Sequence, residues 1–483
     1  MSNQCPIYGS PIDDFTYMNV VRAISRGYTL RRLLNVRLRR GRGYHEIVKR
    51  RRAKQLRRGR IRRTCLKLAY QIPLAILAAL GIVVIIMHSG DRRLFTKVEI
   101  ASAGSGYNLT SFEARHLPAK WIHRIYSALP WTDIDENTRR AHLDRFQNLA
   151  RELRSARNDL KSALARGDAL AVSVAQSHVT SLLQERNAIR DAAEELLESA
   201  ISTELTALGL NKNGDFIWPP VDLRIDDTPH VLVTSPRDVI QRDSVRILKP
   251  DLTEDVKERM ETQIFDTADL SAVVLPTGGL ASFPNLVPSD YSLQALLEVS
   301  AHEWLHAYLI FHPLGRSYWS GGDMTSLNET LANLVGKEIG RTVYNQITGE
   351  NVETLEPPYM PEHVQEDPDT PSKFDVQEFL HETRHRTDEL LERGEIEEAE
   401  AYMESRRLEL VENGHNIRKL NQAYFAFHGL YADGPSSTSP LARQIWELRQ
   451  QSTHAGDLVK TLQTISNYEE FLALLDERSI ARE

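Results

Sequence analysis

Two histidines and a glutamate, His302, Glu303 and His306, stand in the order H-E-x-x-H within LQALLEVSAHEWLHAYLIF. Spaced four apart, the histidines project from one face of a helix, so both imidazoles can offer a nitrogen to one ion. Glu303 falls between them, where a carboxylate suits a general base acting on water made acidic by the metal. Val299, Ser300, Ala301, Trp304, Leu305, Ala307 and Tyr308 carry no charge, as a helix buried beneath a cleft requires. Two histidines alone hold a zinc poorly, because a catalytic site has three protein ligands and one open position. Downstream, MTSLNETLANLVGKEIG places Glu329 at the start of an apolar helical pattern, with 22 residues between it and His306.

Here a resemblance becomes specific. Asn328-Glu329 followed by a small-residue helix resembles the glutamate helix of the gluzincin metallopeptidases, thermolysin and the related aminopeptidases among them, over roughly Ala272 to Gly340. The resemblance implies that His302, His306 and Glu329 are ligands of a zinc ion and that Glu303 is base and proton shuttle. Two departures stand out. The spacing to the glutamate is a few residues longer than in thermolysin, which implies a longer connection between the helices. Where thermolysin-like enzymes carry an aspartate that orients the first histidine, this chain has Asn333, whose amide can accept the imidazole N–H but raises ligand basicity less.

Upstream, SAVVLPTGGLASFP reads as a strand leading into a Gly-rich turn. In gluzincins a strand in this place pairs with the substrate backbone, so Gly278, Gly279, Leu280 and Ala281 are candidates for peptide contacts; an ordinary edge strand and turn accounts for them equally well. No G-x-M-E-N-like glutamate occurs in GGLASFP to anchor a substrate amino terminus, which leans toward an endopeptidase. The family also needs a donor to a tetrahedral oxyanion. IRKLNQAYFAFHGLYADGP offers Tyr424 and His428 on one helix face, with Tyr431 one turn on, although aromatics at helical spacing also suit a core.

A second copy, His381-Glu382-Thr383-Arg384-His385, lies on a charged helix. Arg384 and Arg386 adjoin its second histidine and oppose a dication, so this copy is expected on a solvated or structural helix.

These residues sit in a chain of 483 residues, 41% hydrophobic and 26% charged, which is ordinary for a globular protein and long enough for several structural units. Its charge is divided unevenly. Residues 1–67 hold 19 Lys/Arg against Asp13, Asp14 and Glu46, a net of +16, leaving −23 for the remainder. The only cysteines, Cys5 and Cys65, lie in that basic segment, so the rest folds without a disulfide, which fits a bacterial envelope protein. Asn328-Glu329-Thr330 is also a glycosylation sequon abutting the expected ligand, which again favours a bacterial reading.

From Ala69 to Met87 the chain carries 19 residues without a charge, enough to cross about 28 Å as a helix. The cations crowd its N-terminal side, so the positive-inside rule puts the N-terminus in the cytoplasm and the remainder outside. The basic segment is expected to hold anionic lipid headgroups; nucleic acid is the less favoured partner.

The expected fold class is α+β and mostly helical: a zincin-like catalytic module, a small sheet plus the metal-binding helix, flanked by helical regions, with one N-terminal transmembrane helix. The expected boundaries are a basic cytoplasmic tail at 1–67, the transmembrane helix at 68–88, and a helical region with a long hairpin at 89–212. The zincin-like module then spans 213–345, and a helical C-terminal region at 346–483 completes the cleft. HVLVTSP, SVRILKP and SAVVLPTGG read as its strands, and helices are expected at 374–393, 396–412 and 416–431. The function this predicts is a membrane-anchored, single-pass zinc metallopeptidase acting on peptide or protein substrates outside the cytoplasm. The alternative is a membrane-anchored binding or scaffold protein whose zincin domain is structural or inactive.

Overall fold

A five-residue helix, α1 (Lys97–Ala101), opens the described part of the chain on a capping box formed by Thr96 and Glu99. The computed structural model describes residues 96–116, 120, 136–166, 168–212, 216–359 and 374–482. All fall within the unit Phe95–Glu483; the other unit, Met1–Leu94, lies outside the described residues.

Next come α2 (Glu136–Arg166) and α3 (Ala169–Ala207), the expected hairpin. Asp168 starts the second helix by accepting the Ala171 N–H at 3.0 Å. Leu149, Leu153, Ala156, Val179 and Leu182 form the seam of the hairpin. Farther along, α3 turns Ala193, Leu197, Ile201 and Leu205 into the main core.

The β-rich middle contains β1 (Leu223–Asp226), β2 (His230–Pro236), β3 (Ser244–Leu248), helix α4 (Glu254–Ala268), β4 (Leu270–Pro276) and β5 (Asn285–Pro288). Strands β3, β2 and β4 form an antiparallel sheet in that order, and β1 pairs with β5 in parallel. Two buried carboxylates tie β1 to α3, Glu198 accepting the Leu223 N–H at 2.8 Å and Glu194 the Ile225 N–H at 2.9 Å. One face of the three-stranded sheet buries Leu232, Ala272 and Val274 against Met260 and Ile264 of α4. The other buries Val231, Val233 and Val273 against Ala423. A strand covered on both faces reads as a nearly continuous apolar run, which is how HVLV and SAVVL appear in the sequence.

Helix α5 (Leu293–Leu309) begins at Ser292, whose side chain accepts the Ala295 N–H. After the one-turn helix α6 (Pro313–Arg316) comes α7 (Gly322–Thr348). Two glycines let α5 and α7 approach closely. A Cβ on Gly340 would lie 2.4 Å from the Glu298 backbone nitrogen, and one on Gly336 would lie 3.0 Å from the backbone of Glu298 and His302. Any larger residue there would push Glu329 away from the histidines.

The chain ends with α8 (Val376–Glu392), α9 (Ile396–Glu412), α10 (Gln422–His428), α11 (Leu441–Gln450), α12 (Ala455–Leu462) and α13 (Tyr468–Glu477). Helix α10 is shorter than the expected 416–431. Asn421 caps it by accepting the Tyr424 N–H at 2.9 Å, and Arg418 and Lys419 just before it are extended toward Glu261 of α4. One core joins residues of α2, α3, β1, β5, α5, α7 and α11 to α13, so the three regions expected between 89 and 483 share their interior.

The α+β, mostly helical composition stands, but the membrane-spanning part of the expected fold class is corrected. No helix among the described residues is long and apolar enough to cross a membrane. The long ones, α2, α3 and α7, carry charges along their length, whereas a span needs about 20 predominantly apolar residues. The expected span at 68–88 and the basic segment 1–67 lie outside the described residues.

Candidate metal centre

Helix α5 is fixed before it offers any ligand. Leu297, Ala301, Trp304, Leu305 and Leu309 are fully buried, and the Trp304 indole donates to the Pro219 carbonyl at 2.9 Å. That leaves His302 and His306 on the face toward α7, with ring centroids 4.6 Å apart and their Nε2 atoms 2.9 Å apart. Glu329 arrives from α7 with Oε2 3.3 Å from His306 Nε2 and 3.6 Å from His302 Nε2. One donor atom from each residue lies within 4.8 Å of the others, and among the described residues this is the group of that kind.

The donor set fits a divalent ion. Glu329 Oε2 is buried and has no partner beyond the two imidazole nitrogens it faces. Such an orphaned carboxylate oxygen is costly unless a cation completes it. Two imidazole nitrogens and one carboxylate oxygen are the ligands that borderline ions, zinc foremost, take with a position left open.

Without a metal the charges arrange themselves accordingly. Burial would raise the Glu329 carboxyl, but His306 and His302 hold it well below the ordinary carboxylate range. Burial would lower His306, yet Glu329 carries it up to about 9. The other Glu329 oxygen accepts the Tyr318 hydroxyl, and His306 Nδ1 lies 2.8 Å from Asn328 Oδ1. The orienting amide is therefore Asn328 and it serves the second histidine. Asn333, expected in that role, instead donates to Asp433 Oδ1 at 3.0 Å, because one turn along α7 it faces the chain after α10.

Glu303 is buried beside the triad and accepts the Ala281 N–H. Burial pushes its carboxyl up, opposed by the two imidazoles and aided by Glu329. Gly279 passes so close that a Cβ there would lie 2.4 Å from Glu303 Oε1, so any larger residue would displace the Glu303 side chain. The expected peptide-pairing role of Gly278, Gly279, Leu280 and Ala281 is corrected at Leu280. Its N–H and C=O are both taken by Leu286, at 2.9 and 3.0 Å, so that residue is already paired with β5. Gly279 and Ala281 serve Glu303, and Gly278 lies by the Tyr291 hydroxyl.

Of the three late aromatics, Tyr431 is the one at the centre. Its ring centroid lies 6.5 Å from that of His302, and burial, with Glu329 and Glu303 adding, pushes its hydroxyl well above the ordinary phenol value. The Tyr424 and His428 rings meet at a tilt with centroids 4.3 Å apart and answer to burial alone, which moves them up to about 12 and down to about 4. Tyr424 packs on the sheet with Val231, Val233 and Val273.

What puts Tyr431 in place is a polar stripe on α7. Ser326 donates to the Leu430 carbonyl at 2.8 Å, Thr330 accepts the Ala432 N–H at 3.1 Å, and Asn333 and Lys337 bind Asp433. Positions 326, 330, 333 and 337 share one helix face. That spacing was visible in the sequence as polar residues within an apolar helix. Tyr318 had weaker notice, as an aromatic in the long connection between His306 and Glu329.

The second copy is placed differently. His381 and His385 have ring centroids 4.5 Å apart, but Glu382 is exposed and pairs with Arg406 at 3.2 Å.

The chain has no match among protein-family models, among curated proteins or among solved structures.

Proposed function

We propose that this protein is a zinc-dependent peptidase whose ion is held by His302, His306 and Glu329. The observation that supports the reading best is the buried Glu329 Oε2 facing two Nε2 atoms, with Glu303 alongside. When bound, a zinc ion supplies Lewis acidity toward a carbonyl and toward water.

Glu303 is the proton carrier. A carboxyl raised by burial accepts a proton from water more readily than an exposed one and can then return it to the leaving amine. The Ala281 N–H fixes the carboxylate's direction, and Gly279 leaves the space it occupies. Tyr431 stays protonated at working pH and donates to the oxygen on which charge develops. Tyr318 holds the Glu329 carboxylate, so its free oxygen stays turned toward the histidines.

The test is to purify the chain, measure bound metal by mass spectrometry, and follow cleavage of a peptide library beside Glu303→Gln. About one zinc per chain is expected, retained in the variant, with the rate reduced about 10³-fold in Glu303→Gln. A wild type without metal, or an equally active variant, overturns the reading.

A further inference from the structure

Beyond Tyr318, the hydrogen-bond chain leading away from the metal centre ends on a cation. Arg242, half-buried in the connection between β2 and β3, donates to the Tyr318 hydroxyl and, at 3.3 Å, to Thr325 Oγ1. Its guanidinium carbon lies 5.7 Å from the centroid of the Trp319 ring, which is 77% exposed. No carboxylate among the described residues lies within ion-pair distance of Arg242. Its neighbour Asp243 is turned to the Thr234 hydroxyl at 2.9 Å.

Most other buried or half-buried arginines among the described residues are neutralised. Arg237 pairs with Glu400 at 2.8 Å, Arg341 with Glu298 at 3.0 Å, and Arg449 with Glu338 at 2.7 Å. A guanidinium has five donors, and two neutral hydroxyls leave most of its fork unused. A planar fork with free donors, hydrogen-bonded through one tyrosine to a metal ligand, is built for a carboxylate that arrives with the substrate.

We propose that Arg242 is a specificity-determining residue that binds a carboxylate of the substrate close to the scissile bond. The inference rests on the peptidase reading above and adds a substrate class: acidic peptides, the carboxylate being either an Asp/Glu side chain or the chain terminus. Two hydrogen bonds separate Arg242 from Glu329, a reach of about 6 Å. An extended peptide advances about 3.3 Å per residue, so the recognised carboxylate lies about one or two residues from the bond that is cut. Exposed Trp319 gives the same position an apolar wall.

The test uses the full chain loaded with zinc and a peptide that wild type cleaves. The peptide is made in matched pairs: Glu or Gln two residues from the cut, and a free or amidated terminus at the same distance. Wild type should prefer the carboxylate member of one pair by about ten- to hundredfold in kcat/KM, and the responding pair identifies the source. Arg242→Gln should abolish that ratio, whatever the rate at which it cleaves the amide member, and Arg242→Lys should restore part of it. A residue with only a structural role would slow both members together.

Binding is measured separately by calorimetry on zinc-loaded Glu303→Gln, with the same pairs and with Arg242→Gln added. Carboxylate preference in binding without any cleavage by wild type removes the peptidase reading but keeps the carboxylate site. Cleavage without preference in either pair keeps the peptidase reading and overturns this inference, as does a preference that survives Arg242→Gln.

Discussion

The two H-E-x-x-H segments carry the same four-residue spacing to different ends. In each, the helix itself brings two imidazoles to ring distances near 4.5 Å, 4.6 Å on α5 and 4.5 Å on α8. What separates them is the neighbouring element. Beside α5, the glycines of α7 admit a close helix that delivers Glu329 with a free, buried oxygen. Against α8 stands Arg406, whose guanidinium lies 3.4 Å from the centroid of the Phe379 ring and pairs with Glu382. A pair of histidines is a property of one helix, whereas a metal site is a property of the helix packed against it.

The comparison is broken most directly by exchanging the paired glutamates and histidines. Glu303→Gln is expected to lose about 10³-fold in peptide cleavage and Glu382→Gln to lose none. Likewise, His306→Ala should come off the column without zinc and His385→Ala with it. Loss of metal from His385→Ala would mean that the second copy also holds an ion.

Somewhat smaller is the effect at the oxyanion. Tyr431→Phe should lower kcat about 10²-fold at nearly constant KM, while Tyr424→Phe and His428→Asn stay within about twofold of wild type. An equal loss in Tyr424→Phe would place the donor on α10 after all.

These outcomes bear on what the sequence could disclose. The pair His302 and His306, the glutamate between them and Glu329 were legible because local helical spacing and an apolar frame fix them. Strands β2, β3 and β4 and helices α8 and α9 were legible for the same reason, through continuous apolar runs and capping residues, whereas the short strands β1 and β5 were not. The position of Tyr431 beside His302 was not, because it depends on where α10 begins and ends, and Asn421 starts that helix through a cap rather than through hydrophobic period. Asn333 was misassigned because the orienting position was carried over from the family's offset after the glutamate, while Asn328, adjoining the glutamate itself, reaches His306. Tyr318 sits on an irregular connection, for which no periodicity exists.

Tyr318 sharpens the contrast further, since its hydroxyl holds the glutamate packed against the first pair. Tyr318→Phe removes the hydroxyl that holds Glu329 and should weaken zinc binding about 10- to 100-fold in competition with a chelator. A change of less than twofold would show that α7 alone orients the carboxylate.

The smallest effect distinguishes the two pairs by the direction in which they titrate in metal-free protein. Burial lowers both histidines, but at His306 the Glu329 carboxylate overrides it and raises the imidazole to about 9. At His381, burial and then His385 lower it. A raised histidine stabilises the fold fully below its unfolded value of about 6.5 and loses that contribution as pH rises through about 9. A lowered one does the reverse, contributing above about 6.5 and losing it as pH falls. Because His306 and Glu329 titrate as a coupled pair, one contribution is expected rather than two. Metal-free protein should therefore unfold at lower urea at pH 9.5 than at pH 7, and zinc should cancel the difference. The Glu329→Gln variant, with no carboxylate to hold the proton, should show none. A His306 resonance titrating near pH 6.5 in the metal-free wild type would mean that Glu329 does not reach it, and the distinction between the two helices would then rest on burial alone.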